Sequence, residues 1–149
     1  MLRIANYDIV FREIPREVTL ALNISGCPCR CPGCHSPHLQ NDVGETLTDD
    51  LLNSLMHTYG NAVTCVCFMG GDKAPEEILR LAQLIRRQPT HLKTAWYSGR
   101  DNLPSANFIE HFDYIKLGRY IEQLGGLDAP NTNQKLYRIS DFRLTVFDF

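Results

Sequence analysis

At 149 residues, with 44% hydrophobic and 21% charged side chains, the chain suits one folded domain with its own apolar core. A net charge of −2 and unclustered basic residues give no field for nucleic acid; Arg86-Arg87 closes an expected helix, where positive charge complements the dipole. Met1–Asp8 lacks the apolar stretch of a signal peptide and no run nears the ~20 residues that span a bilayer, so a cytoplasmic protein without a membrane partner is expected.

In chain order, Val18–Ser25 is aliphatic and β-branched and predicts a first buried strand. It enters a loop whose Gly26, Pro28, Pro32 and Gly33 preclude regular structure. A helix is expected over Thr48–Tyr59, with Leu51, Leu52, Leu55 and Met56 as its apolar stripe and Gly60 as its stop. Ala62–Met69 reads as a second strand ending at Gly70-Gly71-Asp72. A second helix starts near Pro75 and repeats apolar residues at Ile78, Leu81, Ala82 and Ile85. Lys93–Tyr97 is a third strand running into Ser98-Gly99-Arg100, then come a short helix around Ser105–His111 and a fourth strand at Tyr114–Leu117. Asn131–Gln134 reads as a loop before two short strand candidates, Leu136–Ile139 and Phe142–Phe147. Strands alternating with helices imply βαβ units and a parallel sheet, in a single domain over residues 1–149.

Six cysteines in a reducing compartment point to metal binding or catalysis more than to disulfides. Cys27, Cys31 and Cys34 stand in a C-x-x-x-C-x-x-C arrangement that offers three thiolates to one metal centre. A cubane iron–sulfur cluster usually takes four cysteines, so three leave one iron open to a small molecule. A structural zinc site is the alternative, with Cys65 and Cys67 as a distant second pair. Those two alternate with Val66 and Phe68 in an expected buried strand, where cysteine behaves as a small hydrophobe, and the iron–sulfur reading is preferred. Cys29, midway between two ligands, is expected to point away. His35 and His38 are open to reading as ligands, though packing or polar contacts are commoner for loop histidines.

Ligands of parallel α/β folds collect at the carboxyl ends of the strands. The cysteine loop, Gly70-Gly71-Asp72, Ser98-Gly99-Arg100 and Gly118-Arg119 leave the ends of four successive expected strands and should share one rim. Glycines there let a ligand approach backbone carbonyls, and Asp72 could add charge toward an ammonium group.

The cysteine spacing resembles that of the radical S-adenosylmethionine enzymes, whose open iron is chelated by S-adenosylmethionine. The resemblance narrows with Cys-Pro-Gly-Cys-His at 31–35, Met-Gly-Gly-Asp at 69–72, Tyr-Ile-Lys-Leu-Gly-Arg-Tyr at 114–120 and Asn-Thr-Asn-Gln-Lys-Leu-Tyr-Arg at 131–138. Together these look like the activating proteins of anaerobic ribonucleoside-triphosphate reductases, over about Val18 to Arg138. That likeness implies a 4Fe-4S cluster on Cys27, Cys31 and Cys34 that donates one electron to bound S-adenosyl-L-methionine. The resulting 5′-deoxyadenosyl radical takes a hydrogen from a backbone glycine of the reductase, and a flavodoxin- or ferredoxin-type protein supplies the electron. It also implies cofactor contacts from Gly33, by its backbone, from Cys34 and His35, and from Gly70, Gly71 and Asp72 at the methionine amino group. Ser98, Lys116 and Arg119 are ribose or carboxylate candidates, or simply a solvated strand-end loop.

The implied fold is α/β, an open partial (β/α) barrel of the radical S-adenosylmethionine type with a short irregular C-terminal extension. A closed eight-stranded barrel takes ~250 residues, and an open flank would admit a loop of another protein. Rival functions are activation of another glycyl radical enzyme, radical chemistry on a small molecule, or a zinc-stabilised interaction module. Met69, Trp96 and Tyr97 are expected in the core.

Overall fold

The computed structural model describes residues 2–27, 41, 43–127, 129–130, 132–140 and 143–146. These form strands β1 (Arg3–Val10), β2 (Thr19–Ile24) and β3 (Glu45–Thr46), helix α1 (Asp49–Tyr59), strand β4 (Cys65–Met69), helix α2 (Pro75–Arg86) and strand β5 (Lys93–Tyr97). A 3-10 turn (Ala106–Glu110) follows, then strands β6 (Tyr114–Leu117), β7 (Lys135–Ser140) and β8 (Arg143–Val146). One mixed sheet contains all eight strands in the order β3-β1-β2-β4-β5-β6-β7-β8. Its centre, β2-β4-β5-β6, is parallel and keeps chain order, and antiparallel strands extend both sides.

Pattern explains these elements locally. The central strands are buried almost throughout, as expected when both faces of a parallel sheet are covered. Thr48 caps α1, its Oγ1 accepting from Leu51 N at 3.1 Å, and Asp49 and Asp50 complement the helix amino terminus. Pro75 opens α2, where a missing N–H costs nothing, and Glu76 and Glu77 fill its first turn. Arg80 of α2 binds Asp49 of α1 and Glu77 at 2.6–3.1 Å, joining the helices at their solvent side.

Both helices contribute to one core. Leu52, Leu55 and Met56 of α1 and Ile78, Leu81 and Ile85 of α2 meet Leu20, Leu22, Ile24, Val66, Phe68, Trp96 and Ile115 from the sheet. Each fully buried aliphatic side chain stabilises this layer by about 1.5–3 kcal/mol. Trp96 stacks on Phe108 of the 3-10 turn and on Phe112, with ring centroids 5.5 and 6.1 Å away.

The opposite face holds a smaller cluster of Ile14, Cys65, Cys67, Ala95, Tyr114 and Leu136. Small residues at Ala21, Cys67 and Ala95 make room for Ile14, delivered by the connection between β1 and β2. That connection is fastened twice. The Tyr97 hydroxyl donates to Glu13 O, and the buried Glu17 carboxylate accepts from Lys93 Nζ at 2.8 Å, Thr64 Oγ1 at 2.7 Å and the Tyr114 hydroxyl at 2.8 Å. Burial alone would raise the Glu17 pKa, but these donors outweigh it and hold the carboxyl below its ordinary value. The Glu17 bonds thus close the helix-free face toward the amino ends of the parallel strands, and Tyr97 holds Glu13 at the carboxyl end of β5.

Candidate cluster and cofactor site

The expected loops emerge at one rim because β2, β4, β5 and β6 run parallel and side by side. After β2, Ser25 is fully buried and ties both ends of the cysteine loop. Its backbone N donates to Arg3 O at 3.0 Å, its hydroxyl donates to Val43 O at 2.6 Å, and Val43 N donates back to that hydroxyl at 3.0 Å. Gly26 N adds a bond to Asn41 O at 3.1 Å. The loop therefore starts and ends at one point. Gly26 suits its left-handed φ of +75°, a conformation that residues with a Cβ rarely adopt. Cys27 follows at the rim, half-buried. Cys31, Cys34, Gly33 and His35, with Cys29 and His38, lie outside the described residues.

The glycine pair is built into the rim. Gly70 and Gly71 have φ of +105° and +89°, and added Cβ atoms would meet Ile24 O at 3.0 Å and Ile78 Cδ1 at 2.5 Å. Gly70 N donates to Tyr97 O at 3.0 Å, and Gly70 O accepts the Trp96 indole N–H at 2.7 Å. Trp96 sits in the core as the sequence suggests, and its polar edge also holds the glycine turn.

Asp72, Ser98 and Lys116 are all buried and are joined to one another. The Asp72 carboxylate accepts from Ser98 Oγ at 2.5 Å and from Gly99 N at 2.9 Å, and the Arg100 guanidinium donates to Asp72 O at 2.8 Å. Lys116 Nζ donates to Ser98 O at 2.9 Å and to Gly118 O at 3.0 Å, and Gln134 Nε2 reaches Gly118 O at 3.3 Å. A continuous polar chain, Asp72–Ser98–Lys116–Gly118–Gln134, thus stitches the ends of β4, β5 and β6 to the start of β7. Arg100 and Gln134 belong to this chain and were not singled out in the sequence, where nothing distinguishes an arginine after Ser-Gly from a solvated one.

Arg119 differs from those three. It is exposed and stands at one side of a cleft of about 560 Å³ between it and residues 99–104. Its backbone is fixed by Asp101 Oδ1 and Asn133 Nδ2, at 3.1 and 3.0 Å. The guanidinium is therefore presented from an anchored loop and suits an anionic group.

Cys65 and Cys67 lie fully buried on β4 in the helix-free cluster. Burial raises both thiols well above their ordinary values, reinforced at Cys65 by Glu17 and at Cys67 by Cys65. Thiols held protonated are poor metal ligands. Met69 is half-buried with its Sδ 3.9 Å from Cys67 Sγ, and belongs to the packing of this face.

Residues 17–134 match the family model of the 4Fe-4S single cluster domain. The chain belongs to that family. No curated protein and no solved structure matches it. The 4Fe-4S single cluster domain assignment spans β2 to the start of β7, the part of the chain that builds the rim. Of the C-x-x-x-C-x-x-C cysteines, Cys27 stands half-buried on the rim, and the two buried cysteines of β4 lie apart from it in the helix-free cluster. Among the described residues, which leave out Cys31 and Cys34, no group of three or more His, Cys, Asp or Glu gathers to hold a metal ion, and no helix is long and apolar enough to cross a membrane.

Proposed function

We propose that this chain is a radical S-adenosylmethionine activating enzyme that installs a glycyl radical on an anaerobic ribonucleoside-triphosphate reductase. The observation that supports the proposal is that Cys27, the first cysteine of the C-x-x-x-C-x-x-C series, leaves the same rim as a left-handed glycine pair in a 4Fe-4S single cluster domain. Domains of this family occur in radical S-adenosylmethionine activating enzymes.

In this reading Cys27, Cys31 and Cys34 hold the cluster, and Gly33 and His35 on the same loop approach the nucleoside. When bound, the cluster supplies the single electron for reductive cleavage of the sulfonium. The chain's task is position. Gly70 and Gly71 bring backbone rather than side chains to the methionine amino group. The carboxylate of Asp72 is used to fix the Ser98–Gly99 loop against that pair. Lys116 sets the β6 exit by its two carbonyl bonds, and Arg119 offers its guanidinium to a carboxylate or to ribose oxygens. We further propose that the sheet works as an open partial barrel, with the flank between β1 and β8 admitting a loop of the reductase. A flavodoxin- or ferredoxin-type protein is the proposed electron donor.

Anaerobic reconstitution with iron and sulfide, reduction, and mixing with the reductase and S-adenosyl-L-methionine should give 5′-deoxyadenosine and a glycyl radical signal by electron paramagnetic resonance. Cys27→Ala, Cys31→Ala and Cys34→Ala should abolish both, whereas Cys29→Ala retains them. An intact cluster that cleaves S-adenosylmethionine but never labels the reductase rejects this substrate. Zinc at one equivalent without iron rejects the radical chemistry altogether.

A further inference from the structure

Across the helix-free face, strand register aligns Asn6, Asn23, Met69, Tyr97, Lys116 and Leu136 in one transverse row. This row is the last before the rim, since Met69 precedes Gly70 and Tyr97 precedes Ser98. Most of its polar capacity is committed. Tyr97 donates to Glu13 O, and Lys116 donates to the Ser98 and Gly118 carbonyls.

The asparagine pair is different. Asn23 Nδ2 donates to Asn6 Oδ1 at 2.6 Å, and neither side-chain amide makes another bond among the described residues. An acceptor on Asn23 and a donor group on Asn6 are left over, on two amides joined by that bond. Asn6 is exposed, and Asn23 is the one half-buried position of β2, whose other residues are buried.

A backbone irregularity brings the two together. Ile4 pairs with Ile24 on the helix-covered face, and in a regular strand Asn6 would share that face. Register slips between Ile4 and Asn6, leaving Ala5 as the extra residue, and Asn6 comes to lie opposite Asn23. From Tyr7 onward the strand is regular again, with Tyr7 and Ile9 beside Leu22 and Leu20. Bulges of this kind re-aim side chains next to functional sites. Asparagine is also depleted from strands, and a β-branched pair would hold β1 to β2 at lower cost.

We propose that Asn6 and Asn23 form a main-chain clamp for an extended segment of the partner protein. One extended residue of that segment donates its N–H to Asn23 Oδ1 and accepts from Asn6 Nδ2 through its own C=O, the two groups an extended backbone presents on the same side. The complementarity is one of hydrogen bonding, because an acceptor and a donor on paired strands match the N–H and C=O of a single extended residue. Asn6 is exposed, and among the described residues β3 pairs with β1 only at Arg3 and Ile4. A main-chain contact suits a glycine, which offers a binding surface no chemistry beyond its backbone. The clamp rests on the function proposed above and supplies how that partner's glycine loop is presented.

The test uses the full-length, cluster-loaded protein and a fluorescent synthetic peptide spanning the radical glycine of the reductase. Binding is read by anisotropy for the plain peptide and for a series N-methylated at one backbone nitrogen at a time. In wild type, methylation at the clamped position should weaken binding about tenfold, the worth of one good hydrogen bond. Asn23→Leu should weaken the plain peptide by about the same factor and erase the methylation effect at that position alone. Asn6→Ser, at an exposed residue that folding tolerates, should weaken binding with melting temperature unchanged. A methylation profile identical in wild type and both variants overturns the clamp, as does an equal loss for every peptide in the series. Absence of peptide binding to wild type overturns it too, even if the reductase is activated. Conversely, position-specific binding without a glycyl radical signal would keep the clamp and reject the reductase reaction.

Discussion

Asp72 is where the resemblance and the geometry make different demands, and replacing it separates them. Its carboxylate is buried, with 1% of the residue exposed, and both oxygens are engaged, by Ser98 Oγ at 2.5 Å and Gly99 N at 2.9 Å. Hydrogen bonds to a charged group contribute about 1.5–3 kcal/mol, against about 0.5–1.5 for neutral pairs. Asp72→Asn keeps the shape but turns one accepting oxygen into an NH2 donor, so Gly99 N keeps a neutral acceptor while the bond to Ser98 Oγ must reverse; about 1 kcal/mol at each predicts a loss of about 2 kcal/mol. Asp72→Ala also strands the buried Ser98 hydroxyl and the Gly99 N–H and should cost about 4 kcal/mol. At about 3 °C per kcal/mol for a chain of this length, melting temperatures fall by roughly 6 and 12 °C. The assay is anaerobic thermal melting of the cluster-free protein, where no cofactor contributes. The double variant Asp72→Asn with Ser98→Ala should fall short of the sum of the single losses, since both remove the same bond. An Asp72→Asn protein that melts within about 1 °C of wild type, yet no longer binds S-adenosylmethionine, would refute the stitching role and return the carboxylate to the ligand.

Gly71→Ala meets a left-handed φ of +89° and places a methyl 2.5 Å from Ile78 Cδ1 in a fully buried contact, so urea denaturation should show a loss of about 2–3 kcal/mol. The carboxyl of Glu17 is held below its ordinary pKa, so the folded state binds that proton less readily than the unfolded chain. Its stabilisation is complete above the ordinary glutamate value and is lost as pH falls through the lowered one; Glu17→Gln should flatten the stability profile below about pH 4 and cost about 3 kcal/mol at neutral pH, as read from denaturant midpoints. Cys65 and Cys67 should resist iodoacetamide in the folded protein at pH 8 and react fully in denaturant, because burial keeps both thiols protonated; native labelling at the rate of an exposed thiol would contradict their placement.

Sequence periodicity located what repeats and missed what breaks. The strands expected at Val18–Ser25, Ala62–Met69, Lys93–Tyr97 and Tyr114–Leu117 correspond to β2, β4, β5 and β6, because buried parallel strands read as continuous apolar runs. Both helices were legible from apolar spacing and end residues, and Thr48 proves to be the cap rather than the first turn of α1. The short helix around Ser105–His111 is a 3-10 turn, too brief for a regular hydrophobic stripe. Strand β1 escaped because the bulge at Ala5 interrupts its alternation, leaving Ile4 and Tyr7 three residues apart on one face. The two-residue β3 carries no pattern at all. At the rim, the convergence of Cys27, Gly70-Gly71-Asp72, Ser98 and Gly118-Arg119 followed from strand order. The bonds among Asp72, Ser98 and Lys116 did not, because a polar residue after a strand reads the same whether it faces a ligand or a neighbouring loop.

Those bonds change what each rim residue can be asked to do. Asp72, Ser98 and Lys116 face one another, and the Gly70 and Gly71 carbonyls each already accept one bond, so among the described residues the rim leaves a proposed ligand the second lone pairs of those carbonyls, Cys27 and Arg119. Such a surface recognises by spacing, and its spacing depends on a buried polar chain linking four strand ends. Partly satisfied buried networks are costly, which couples the loops, since loosening one member leaves the next unsatisfied. Substitutions at Lys116 or Gln134 should therefore weaken cofactor binding without touching the cofactor, through displacement of Gly118 and of the Ser98 loop. Arg119 carries the opposite expectation, because its exposed guanidinium takes no part in the stitch and its removal should leave the rim intact while reducing affinity for an anionic group.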